Sequence, residues 1–153
     1  MPGHPRRILL VCMGNICRSP TAEEVLRVRA RRAGLKLHLD SAGTENFHVG
    51  EPPDERSIRH AARRGYDLTG LRARQVRPDD FRDFELLLAA DTLNLGALRD
   101  RCPPEHHAKL ALFLGDRPLP DPYYGEAADF EKVLDLVEKR ADWLIAAWSR
   151  PTD

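Results

Sequence analysis

The feature that most restricts the fold is the run from Ile8 to Ala22, Ile-Leu-Leu-Val-Cys-Met-Gly-Asn-Ile-Cys-Arg-Ser-Pro-Thr-Ala. Its opening apolar residues, uninterrupted by polar ones, suit a strand buried on both faces, and such strands belong to parallel sheets covered by helices. The run closes at Cys12, crosses five residues to Arg18 and meets Ser19-Pro20, which reads as a helix N-cap followed by the first helical position. Gly14 and Asn15 fall in mid-loop, where a positive φ is tolerable. The sequence thus predicts a strand, a loop and a helix in one unit, with Cys12 facing a helix N-terminus.

Unpaired backbone N–H groups and partial positive charge converge at a helix N-terminus, favouring a bound anion and favouring ionised sulfur over thiol. Arg18 adds a planar cation able to hold two oxygens of a tetrahedral anion in parallel, and its charge favours the thiolate further. Nucleophile and anion receptor then share one loop. The Cys-to-Arg spacing alone proves little in a chain where 20 of 153 residues are Arg. Weight comes from the coincidence of strand, mid-loop Gly and Asn, and helix start. The competing reading is a buried structural cysteine with Arg18 in solvent.

Elsewhere apolar strands alternate with amphipathic helices. Strands are expected over Arg7–Val11, Lys36–Asp40, Leu86–Ala90 and Lys109–Leu114. Helices are expected over Pro20–Ala33 and Pro53–Arg64, each closed by a glycine, over Thr92–Arg101 before Pro103-Pro104, and over Ala128–Trp148. The last helix carries a stripe of Phe130, Val133, Leu134, Val137, Leu144, Ile145 and Trp148, which reads as core. This order predicts a single three-layer α/β domain over residues 1–153, with a four-stranded parallel twisted sheet flanked by helices on both faces. Ligands of such sheets sit beyond the carboxyl ends of the strands, where Cys12 falls. Gly115–Glu126, with Pro118, Pro120 and Pro122, is a long loop of the size that often carries function.

A formal net charge of zero argues against nucleic acid or an anionic membrane as a bulk partner, so any anion preference must be local. The first residues lack the apolar stretch of a secretory signal, and three cysteines make a poor disulfide framework, so a reducing cytoplasmic location is expected. No His or Cys cluster has ligand spacing, and adjacent His106 and His107 read as surface residues, so neither a metal nor another cofactor is expected.

Val11 to Glu23 resembles the signature loop of the low-molecular-weight protein tyrosine phosphatases. Further matches are Asp40-Ser41-Ala42-Gly43-Thr44, Pro52-Pro53-Asp54, Ala73-Arg74-Gln75, Asp91 with Asn94, and Asp121-Pro122-Tyr123-Tyr124, so the likeness spans nearly the whole chain. It implies metal-independent hydrolysis of phosphotyrosine and other aryl phosphate monoesters through a phosphocysteine. Cys12 would be the nucleophile, and Met13, Gly14, Asn15, Ile16, Cys17 and Arg18 would hold the phosphoryl group. Asp121 would be the general acid, although an isolated Asp-Pro is more often a turn former. The resemblance further implies that Ser19 bonds the Cys12 sulfur and that Asn15 holds a left-handed turn supported by Ser41. Phe47, Tyr123 and Tyr124 are expected to wall a slot for a phenyl ring. Cys17 either packs beneath the loop or traps oxidised Cys12 as a disulfide, and the resemblance leans to the second. One departure stands out, Leu71, where bacterial relatives usually place a His in the network around Asn15. The implied partner is a phosphotyrosine-containing protein or peptide, with inorganic phosphate as product and a monomer as the acting species.

Alternatives are weighed by single residues. A phosphoarginine-directed branch carries Thr at the position of Ile16. Arsenate reductases on this scaffold need a downstream cysteine pair, and only Cys102 follows Cys17. A dithiol oxidoreductase would favour Cys-x-x-Cys. A catalytically silent phosphopeptide-binding module would be marked by loss of Cys12 or Asp121, and both are present.

Overall fold

Alternate residues of the first strand feed two separate cores. In the computed structural model, which describes residues 4–150, strand β1 spans Arg7–Cys12 and lies at the centre of the sheet. Ile8, Leu10 and Cys12 join the larger core, built with helices α1 (Arg18–Arg32), α2 (Glu55–Ala62) and α5 (Ala127–Trp148). Leu9 and Val11 point the other way, onto Phe81 of α3 (Asp80–Asp83) and Leu98 of α4 (Thr92–Arg101). This is the period-two alternation of a strand covered on both faces.

The remaining strands are β2 (His38–Gly43), β3 (Leu86–Ala89) and β4 (Leu110–Leu112), in the order β2-β1-β3-β4 and all parallel. The expected four-stranded parallel sheet with helices on both faces is therefore present. In the register Cys12 pairs with Gly43, and Val11 with Ala42 and Ala89, so the carboxyl ends of three strands meet at Cys12.

Several expected boundaries move. The second strand is His38–Gly43 rather than Lys36–Asp40, because backbone pairing with β1 continues through the small Ser41, Ala42 and Gly43 while Lys36 and Leu37 stay outside the ladder. The second helix starts at Glu55, with the Asp54 carboxylate as its N-cap accepting from the Arg56 N–H. Residues 104–109 form a 3-10 helix, which shortens the fourth strand to Leu110–Leu112. The first helix begins at Arg18 with Cys17 at the N-cap and no side-chain cap bond. Ser19 is therefore not the cap; it lies inside the first turn, with Pro20 beside it where no intrahelical N–H is required.

Candidate active site

The loop leaving β1 is set by one strained residue. Asn15 has φ 58°, the only non-glycine positive φ among the described residues, and its side chain is buried. That side chain makes the turn hold. Its Oδ1 accepts the Arg74 backbone N–H at 3.0 Å, which fixes which end of the amide is Nδ2. Nδ2 then donates to Ser41 Oγ at 2.9 Å and to Ser19 Oγ at 2.8 Å. Ser41 in turn donates to Glu23 Oε1 at 2.6 Å. With its oxygen occupied by Asn15 as donor, the Ser19 hydroxyl proton is free to point at Cys12 Sγ, 3.0 Å away. Every proton in the chain is thereby directed, and the last one is offered to sulfur.

Glu23 is held by Arg27 as well, and burial pushes its carboxyl up while the bonds from Arg27 and Ser41 pull the other way. Arg74 is fixed by Asp40 and by the buried Asp80. Leu71 takes no hydrogen bond in this network; it packs on the larger core, and Asn15 is saturated by Ser19, Ser41 and the Arg74 amide.

Among the described residues, none of the six backbone N–H groups from Met13 to Arg18 has a protein acceptor. These donors flank the sulfur at the start of α1, the arrangement that binds tetrahedral oxyanions. The loop is held by the residues that leave β2: Thr44 N–H donates to the Cys12 carbonyl at 2.9 Å and Glu45 N–H to the Met13 carbonyl at 3.0 Å. Gly43 sits at the contact. A Cβ there would stand 2.6 Å from the Met13 carbonyl oxygen, so only glycine fits.

Arg18 is 3 % exposed. One guanidinium nitrogen, Nη1, is spent on structure, donating to Asp91 Oδ2 at 2.8 Å and to the Leu119 carbonyl at 3.1 Å. Asp91 is itself fixed as the N-cap of α4, accepting from Asn94 N–H. Burial works against the guanidinium charge, but Cys12, Asp91 and Asp121 outweigh it and hold Arg18 above its ordinary range. The second nitrogen, Nη2, faces Asp121 Oδ2 at 3.7 Å.

Asp121 lies in the long loop after β4, which is anchored by Leu119 N–H on the Ala90 carbonyl. Its Oδ1 accepts the Tyr123 N–H at 3.1 Å, and 47 % of the side chain is exposed. A cavity of about 200 Å³ is lined by Cys12, Met13, Gly14, Ile16, Cys17, Arg18, Phe47, His48, Asp121, Tyr123 and Tyr124. The structure brings every expected substrate-contacting residue except Asn15 to this cavity, while Asn15, Ser19 and Ser41 lie behind the sulfur as support. Phe47 and Tyr124 are largely exposed, so they form a rim rather than a wall; Tyr124 meets Tyr123 edge to face at 4.9 Å. Burial pushes the Cys17 thiol up to about 12.

Sequence reasoning gave no role to Asp91, Glu23, Arg74 or His48. Asp91 had a signal, an Asp placed to cap Thr92–Arg101. His48, bonded to Glu51 at 2.5 Å, carried none. Among the described residues no group of three or more His, Cys, Asp or Glu is placed to hold a metal, and no helix is long and apolar enough to cross a membrane.

A sulfur nucleophile behind an amide cradle, with a buried Arg and a facing carboxylate, defines a cysteine-dependent phosphate-monoester hydrolase. Residues 7–151 match the family model described as low molecular weight phosphotyrosine protein phosphatase, and the chain belongs to that family. Low molecular weight phosphotyrosine protein phosphatase 2 of Drosophila melanogaster is 44% identical over 137 residues, covering 82% of this chain and 82% of that protein. The crystal structure of a low molecular weight phosphotyrosine phosphatase from Vibrio cholerae superposes with a TM-score of 0.90 at 35% identity, covering 95% of this chain and 97% of the other. Vibrio vulnificus Wzb, in complex with benzylphosphonate, superposes with a TM-score of 0.84 at 28% identity, covering 92% and 97%.

Proposed function

We propose that Cys12, Arg18 and Asp121 carry out phosphotyrosine hydrolysis in two steps, with residues 1–153 acting as one domain. The Cys12 thiolate attacks phosphorus in line while Arg18 and the loop amides hold the three non-bridging oxygens. Asp121 protonates the bridging oxygen, so the phenol departs neutral and a phosphocysteine remains. The Asp121 carboxylate then takes a proton from water, the water oxygen bonds to phosphorus, the P–S bond breaks, and inorganic phosphate leaves. Sulfur departs as thiolate, stabilised by the Ser19 hydroxyl.

The observation that carries this reading is the run of six partnerless amides between the sulfur and a buried arginine. The cradle itself supplies the positive potential that the reaction needs. Phosphotyrosine is favoured over phosphoarginine by the apolar Ile16 in the cavity wall, and an aromatic substrate is supported by Tyr123 beside it and by the benzylphosphonate bound to Wzb. The substrate is a phosphotyrosine-bearing protein or peptide. The acting species in this reading is a monomer, and three unpaired cysteines suit a reducing cytoplasm.

The test is hydrolysis of phenyl phosphate with a chelator present, comparing the parent with Cys12→Ser and Asp121→Ala. Chelator-resistant turnover, abolished in the first variant and reduced about 10²- to 10⁴-fold in the second, is expected. Activity that survives loss of the sulfur would overturn the mechanism.

A further inference from the structure

Beyond Leu119, the segment bearing Asp121 has a buried Pro122 and the Arg18–Asp121 ion pair at 3.7 Å, but few hydrogen bonds from outside. Among the described residues, one side chain from outside donates a hydrogen bond to residues 120–125, and that is Arg56. Its Nη2 reaches the Tyr123 carbonyl at 2.9 Å, two residues after Asp121. The same Tyr123 gives its N–H to Asp121 Oδ1, so the peptide that Arg56 holds by one end orients the carboxylate by the other.

Arg56 is itself firmly placed. Its Nε and Nη2 grip both oxygens of Asp54, at 3.1 and 3.0 Å, a bidentate geometry that fixes the guanidinium plane. That plane lies over Phe130 at 4.6 Å and over Tyr123 at 5.6 Å, favourable cation–π distances. The Asp54 backbone N–H, finally, donates to the Ile16 carbonyl of the phosphate loop at 2.8 Å. A continuous chain of contacts therefore runs from the nucleophile's loop through Asp54 and Arg56 to the loop of the carboxylate.

We propose that Arg56 is a positioning residue that sets the reach of Asp121 toward the leaving oxygen, clamping the acid loop to the phosphate loop. This rests on Asp121 being the general acid. Proton delivery matters in proportion to how poor the leaving group is, so loosening the clamp slows basic leaving groups and spares acidic ones. A residue that merely stabilises the fold would slow all of them alike.

The experiment measures kcat/KM for aryl phosphates whose leaving phenols run from dinitrophenol to unsubstituted phenol, in the parent, Arg56→Met, Arg56→Lys and Asp121→Ala. For Arg56→Met we expect about a 10-fold loss on phenyl phosphate, a partial loss of the acid's contribution, and about twofold or less on dinitrophenyl phosphate. Arg56→Lys, which keeps the charge but not the fork, falls between parent and Met. Inhibition by inorganic phosphate stays at the parent value in both, because the cradle is intact. Equal losses across the series, or none, overturn the positioning role. If Asp121→Ala shows equal losses while the parent is active, the general-acid reading itself falls, and the proposal with it.

Discussion

Ser19→Ala isolates the end of the directed hydrogen-bond chain, because it removes a hydroxyl and leaves the Cβ in the first turn of α1. The sulfur carries full charge as a thiolate and little as a phosphocysteine, so the 3.0 Å contact from Ser19 strengthens as the P–S bond breaks. A hydrogen bond to a charged group is worth about 1.5–3 kcal/mol. At 1.4 kcal/mol per decade this slows release of sulfur roughly 10- to 150-fold. Attack on the substrate gains no such penalty, since the sulfur loses charge in that step. Phosphocysteine should therefore accumulate, and stopped-flow mixing with nitrophenyl phosphate should show a burst of phenol approaching one per enzyme before a slow steady state. The variant also leaves one Asn15 Nδ2 proton without its acceptor, a buried loss of about 1–3 kcal/mol, visible as a melting temperature lower by several degrees. A variant with no burst and turnover within twofold of the parent would refute the assignment of the Ser19 proton to sulfur.

Other substitutions probe the frame around that chain. Gly43→Ala drives a methyl against the Met13 carbonyl at 2.6 Å, and should cost about 1–3 kcal/mol in urea denaturation together with at least a tenfold fall in kcat/KM; an unperturbed enzyme would show that the loop yields. Peroxide should inactivate the parent reversibly, and Cys17→Ser should recover less on adding dithiol; equal recovery removes the protective disulfide. Glu138 accepts from Tyr66, Arg64 and Arg29, each at 2.6 Å, and although burial raises its carboxyl, those bonds and charges leave it lowered from the ordinary 4.5. Being depressed in the fold, it contributes stability fully present above the unfolded value and lost as pH falls through the folded one. Glu138→Gln should thus flatten the acid limb of melting temperature against pH below about pH 5, and identical slopes would refute this.

The sheet was readable because Ile8–Val11 and Leu86–Ala90 are apolar on both faces, which few structures other than a covered parallel strand accommodate. β2 was harder. Its functional half is Ser41-Ala42-Gly43, where close backbone approach to the phosphate loop demands small residues and hydropathy gives no sign of a strand. Ser19 looked like a cap because Ser-Pro is a common helix opening, yet the helix starts two residues earlier, at Arg18, and leaves the hydroxyl for sulfur. Cys12, Arg18 and Asp121 were legible as residue types in order along the chain. The partnerships of Asp91, Glu23 and Arg56 were not, since each acts across a distance in sequence that only the fold closes: Arg18 to Asp91 spans 73 residues and Arg56 to Tyr123 spans 67.

The amide of Asn15 gives this machinery a polarity. Because Arg74 pins one end, the two protons at the other are committed outward, and each hydroxyl they meet must pass its own proton onward. An isosteric Asn15→Asp swap would preserve shape and the bond from Arg74 while reversing both links to the serines, turning their hydroxyls around and aiming an oxygen lone pair where sulfur now receives hydrogen. The loop is thus constrained in two independent ways, by the direction in which its hydrogens point and, at Gly43, by the room its backbone leaves.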